Sequence, residues 1–92
     1  MREILSVKAI DDRFNFITND RYMSNVEKAK NMIMLQEEAA RTSLMGAEQE
    51  RNNARILSEK IRYKWFVSLI CKMNEDEKRA MDKFIKDFVH VA

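Results

Sequence analysis

The stretch from Arg55 to Met73 begins as an alternation of apolar and charged positions at helical spacing and turns apolar on every side from Trp65 onward. Advancing about 100° per residue, Ala54, Leu57, Ile61, Trp65 and Ser68 fall in one sector, and Arg51, Arg55 and Arg62 fall in a narrow stripe beside it. A helix that is apolar all round is expected to be buried. This helix, over about 47–73, is therefore the expected centre of the molecule.

Upstream, residues 3–18 alternate better than they spiral. With Asp11 and Asp12 as a two-residue turn, Leu5, Val7, Ala9, Phe14 and Phe16 share one face, and Ser6, Lys8, Arg13 and Asn15 share the other. That is the pattern of a half-buried β-hairpin. A helical reading through Ile4, Val7 and Phe14 competes with it, and the turn lacks a glycine. A further short strand at 21–23 is open after Asn19-Asp20. A lone hairpin is marginal in water, so it is expected to lie on helices.

Ser24-Asn25-Val26-Glu27 reads as a capping box opening a helix over about 25–44. Its expected inner stripe is Val26, Ala29, Met32, Ile33, Gln36, Ala39, Ala40 and Leu44, and Gly46 marks its end. Asn74-Glu75-Asp76-Glu77 repeats the start signal for a helix over about 75–89, apolar at Met81, Phe84, Ile85, Phe88 and Val89. The expected fold class is α+β, mainly α: an N-terminal β-hairpin (about 3–18) packed on three helices, all in a single domain, 1–92.

Composition refines this picture. One Gly and no Pro in 92 residues leave few places to reverse, which favours a small number of long helices. The charges, 17 basic against 15 acidic, nearly cancel, so any electrostatic binding has to come from local patches. Cys71, the single cysteine, lies in the most apolar segment and is expected to be a buried thiol in a reducing, cytoplasmic setting. No apolar run reaches the length of a membrane span and the N-terminus lacks a secretion signal, so a soluble intracellular protein with no membrane partner is expected.

Little in the chain assembles chemistry. A structural zinc site needs four N or S ligands, and Cys71 and His90 are the only candidates. The same two residues as nucleophile and base lack any flanking catalytic pattern. Asp11-Asp12 and Glu75-Asp76-Glu77 lack the spaced oxygens and turn glycine of a calcium loop, and one glycine excludes a phosphate-cradling loop. No catalytic residue, metal, cofactor or small-molecule substrate is therefore expected.

Two features remain. Residues 47–73 carry six basic and three acidic side chains, and Arg51, Arg55, Lys60, Arg62 and Lys64 are candidates for gripping phosphates. The bland alternative is a solvated face neutralised by Glu48 and Glu59, and Tyr63, Trp65 and Phe66 beside it read as core. On the first helix Met34, Leu35 and Met45 point away from the inner stripe and are candidates for partner binding, unless the N-terminal segment covers them. The leading expectation is a non-enzymatic binding or inhibitor protein docking on a larger protein or ribonucleoprotein assembly. Small motif-free chains of this kind include many phage- or mobile-element-encoded inhibitors, anti-CRISPR proteins among them, and that class is the guess for this one. The alternatives are a small nucleic-acid-binding regulator using the basic stripe, and a self-associating helical protein.

Overall fold

A computed structural model describes residues 4–91, with side chains through Phe88, and holds no strand among them. Helix α1 spans Val7–Asn19, α2 Asn25–Met45, α3 Glu48–Lys60, α4 Phe66–Cys71 and α5 Glu75–Val91. A π-helical segment, Ile61–Trp65, joins α3 to α4 without a break, so the described chain forms four rods.

The fold is therefore all-helical, and the expected N-terminal hairpin is α1. Ser6 caps it, its Oγ accepting the Ala9 N–H at 3.1 Å. The helical turn gathers Ile10, Phe14 and Ile17 on one buried side and sends Phe16 into solvent. A hairpin turning at Asp11-Asp12 would have left Ile10 and Ile17 on its wet face. It would also have needed positive φ at the turn, which no described residue has. Burial worth about 1.5–3 kcal/mol for each of these side chains outweighs the local alternation. Nor do residues 21–23 form a strand: Asp20 Oδ1 accepts the Tyr22 and Met23 N–H groups at 2.7 and 2.8 Å, an Asx turn leading into Ser24.

Both expected caps form. Ser24 Oγ accepts the Glu27 N–H at 3.1 Å. At α5, Asn74 Oδ1 accepts the Glu77 N–H at 2.9 Å while Glu77 Oε1 accepts the Asn74 N–H at 3.1 Å, a complete reciprocal box.

The centre is α2, not the helix through Trp65: α1, α3, α4, α5 and the π-helical segment all pack on α2. Its inner side is also turned from the expected stripe. Leu35, expected outside, is 3% exposed because α1 lies over it, whereas Leu44, expected inside, is in solvent. The segment Phe66–Cys71 supplies no buried residue despite its apolar sequence, and Cys71, expected buried, is exposed. The molecule measures 41 × 30 × 21 Å. Its thinnest dimension is only about two helix diameters, so a helix in either layer is covered on one side alone.

The π-helical segment shifts register. Read as one straight α-helix, the chain places Ser68 in the sector of Leu57 and Ile61, yet Ser68 is exposed and Leu69 packs against both core clusters instead. One cluster joins Ile10, Phe14, Ile17, Met32, Leu35 and Ile61, and the other joins Ala29, Met73 and Met81. Between α2 and α3, Gln36 Nε2 donates to Ser58 Oγ at 3.0 Å and Ser58 Oγ donates to the Gln36 carbonyl at 3.4 Å. The buried Thr42 hydroxyl is shared between Leu5 O at 2.7 Å and Glu38 O at 3.1 Å, which ties the start of the described chain to the far end of α2. At the corner Gly46 is extended, and a Cβ there would lie 2.6 Å from the Thr42 carbonyl oxygen.

Ile17→Ala is expected to lower stability by about 2–5 kcal/mol, and Phe16→Ala by no more than about 0.5 kcal/mol. Urea unfolding of the two variants checks this, and the reverse order would favour the hairpin. Gly46→Ala, which crowds the corner, is expected to cost about 1–3 kcal/mol in the same assay.

Candidate interaction surface

Helices α1 and α2 lie side by side, linked by the Asx turn at Asp20, and on the side away from α3 they leave a shallow groove. Two recesses of about 390 and 260 Å³ share Arg13, Ile17 and Asn31 and so run together. Phe16 and Met23 line the first, Met34 and Leu35 the second. Phe16 is out because its neighbours Phe14 and Ile17 take the inner side of α1. Met34 is out at 49% exposure because Leu35 takes the inner side of α2. Of the apolar residues expected on the outer side, Met34 lies in this groove, Leu35 forms its floor, and Met45 sits exposed at the end of α2, outside both recesses.

The basic residues divide between two flanks of the α3–α4 rod. Lys60 Nζ lies 5.8 Å from the Phe14 ring centroid and Lys64 Nζ 5.9 Å from that of Trp65, so both lean over the edge-to-face Phe14–Trp65 pair on the α1 side. Arg62 lines a separate apolar groove of about 450 Å³ with Ile33, Phe66, Ile85 and Phe88. Arg51 is engaged at the corner, where its Nε donates to the Gly46 carbonyl at 2.8 Å. Arg55 bridges Glu59 at 3.3 Å and Asn52 at 3.0 Å within its own helix. Exposed ion pairs of this kind are worth little.

Three apolar residues of the α3–α4 rod outside the sequence-derived site are exposed: Ile56 at 50%, Tyr63, expected in the core, at 66%, and Val67 at 47%. Ile56 lies away from the sector of Ala54, Leu57 and Ile61, and that spacing is the signal that finds it, whereas Tyr63 and Val67 fall at and beyond the π-helical shift, where spacing from α3 no longer places them. The guanidinium of Arg62 stands 5.2 Å from the Tyr63 ring centroid.

Among the described residues no three His, Cys, Asp or Glu side chains converge as they would around a metal ion. His90 lies outside the described side chains, so a pairing with Cys71 is untouched by the geometry. No described helix is long and apolar enough to cross a membrane. Comparison of the chain with protein-family models, with curated proteins and with solved structures finds no match. The surface must therefore be read from its own chemistry.

Cys71, standing in solvent, is expected to react with a small thiol reagent in the folded protein at a rate close to that in urea. Strong protection of the folded thiol would contradict the placement of α4.

Proposed function

We propose that this chain is a non-enzymatic binding protein that docks on a larger protein or ribonucleoprotein assembly through the α1–α2 groove. The observation that carries the proposal is a continuous groove with Met23 and exposed Phe16 along one recess and exposed Met34 along the other, the two joined at Arg13. Aromatic residues, Met and Arg are the side chains enriched where proteins meet. Methionine adapts its thioether to an irregular partner, and a guanidinium at the rim supplies a directional hydrogen bond. An inhibitor of this type acts by occupying a surface its target needs, which requires no reacting group. Within this reading the anti-CRISPR-like, phage-encoded inhibitors are the class we propose.

A second reading has its own observation. Exposed Tyr63, with Arg62 on its ring, is an aromatic and cationic combination of the kind that stacks a base and holds a phosphate. Direct nucleic-acid binding would use this face and would weaken steeply with salt.

Affinity capture with the parent chain and with Phe16→Asp/Met34→Asp, each first shown to keep its far-UV spectrum and urea midpoint, separates the readings. The groove proposal expects partners held by the parent to be lost by the double variant and kept by Tyr63→Ala. Retention by the double variant sinks it. Loss on Tyr63→Ala, together with a salt-sensitive gel shift of naked DNA or RNA, would replace it with the second reading.

A further inference from the structure

The C-terminal end of α1, the start of α2 and the end of α4 meet around a recess of about 130 Å³ whose lining includes Thr18, Asn25, Lys28, Trp65, Ser68 and Lys72. The geometry points to this recess as a binding site for a dianionic phosphate group. Its polar lining offers two ammonium groups, the Ser68 hydroxyl and the Asn25 carboxamide as donors, the Thr18 hydroxyl being engaged with the Asn15 carbonyl and the Trp65 indole N–H being shielded. No carboxylate lines it. Neither Lys28 nor Lys72 has an ion-pair partner among the described residues.

Lys28 Nζ reaches one protein acceptor, the Thr18 carbonyl, at a long 3.4 Å, which leaves its remaining protons free for a ligand. Asn25 is the first residue of α2, so the positive end of that helix dipole adds to the two lysines, against the carbonyl ends of α1 and α4 that meet at the same recess.

Charge and size select the ligand. Two ammonium groups balance a dianion, which a terminal phosphate is near neutral pH and a backbone phosphodiester is not. A recess of about 130 Å³ has room for the phosphate oxygens. The group is therefore inorganic phosphate or the terminal phosphate of a small molecule whose remainder stays outside. The inference goes beyond the docking proposal, because neither Phe16 nor Met34 lines the recess.

Trp65 is the only tryptophan and lines the recess, so its emission reports occupancy. The full chain is titrated with inorganic phosphate at ionic strength held constant with chloride, and in parallel with glycerol phosphate and dimethyl phosphate. The expected result is a saturable change with inorganic phosphate and none with the monoanionic diester. Saturation by glycerol phosphate as well assigns the group to a larger ligand, and its absence assigns free phosphate. Lys28→Gln and Lys72→Gln are each expected to weaken binding at least about tenfold, about 1.4 kcal/mol. Lys28→Arg and Phe16→Asp/Met34→Asp are expected to bind like the parent.

A change that chloride reproduces, no saturation at tens of millimolar phosphate, or parent-like binding by both Gln variants overturns the site. In those cases the two lysines serve only to neutralise the carbonyl ends of α1 and α4. Lys72 is exposed, so its Gln variant folds and keeps the test decisive.

Discussion

From Thr42 and Leu35 at one edge to Ala29 at the other, the buried positions of α2 spread over about 140° of its circumference at 3.6 residues per turn. That arc exceeds the stripe of about 100° that one packed face of a surface helix usually carries. More than one neighbour must therefore reach α2 before it can leave water, and the remaining helices are distributed accordingly. Helix α1 takes the Leu35 edge with Ile10, Phe14 and Ile17, and α5 takes the Ala29 edge with Met81. Helix α3 closes on the middle through Leu57 and the Gln36–Ser58 hydrogen bonds.

The same constraint generates the surface. A short chain that spends its best apolar residues on both edges of one helix has little left to cover the outer sides of the others. Phe16 and Met34 stand in solvent because the positions beside them are taken up by the core. The lysines over the Phe14–Trp65 pair show the opposite compromise: their aliphatic stems shield an aromatic edge while the ammonium groups stay in water. The groove between α1 and α2, which Phe88 of α5 also lines, keeps Phe16 and Met34 in solvent instead.

Where the chain obeys short-range rules it can be read directly. The caps at Ser24 and Asn74 act within one helical turn, and the starts of α2 and α5 fall where those residues place them. Met34 and Met45 are outward as their helical positions imply. The N-terminal helix is not legible in this way. Over so short a stretch Val7, Ala9, Phe14 and Phe16 satisfy period two while Ile10, Phe14 and Ile17 satisfy the helical period, and only the presence of Leu35 opposite decides between them. Leu35 was itself misplaced for the complementary reason, since its burial needs α1 to be a helix. For Cys71 and the rest of α4, hydrophobicity indicated depth, but depth is not available in a molecule about two helices thick. Among the cations, Arg51 and Arg55 are drawn into local hydrogen bonds and Lys60 leans to the α1 side, and past Ile61 angular position along α3 no longer holds.

That last discontinuity has a consequence of its own. A π-helical turn accommodates an extra residue without breaking the hydrogen-bonded rod, so Ile61–Trp65 works like a gear tooth between two apolar patterns that would otherwise be out of phase. The half before it engages α1 and the middle of α2, and the half after it engages the beginning of α2 and the approach to α5. One uninterrupted rod can thereby mesh with partners on both sides of the molecule, at the cost of leaving the Trp65 indole N–H shielded from solvent without an acceptor.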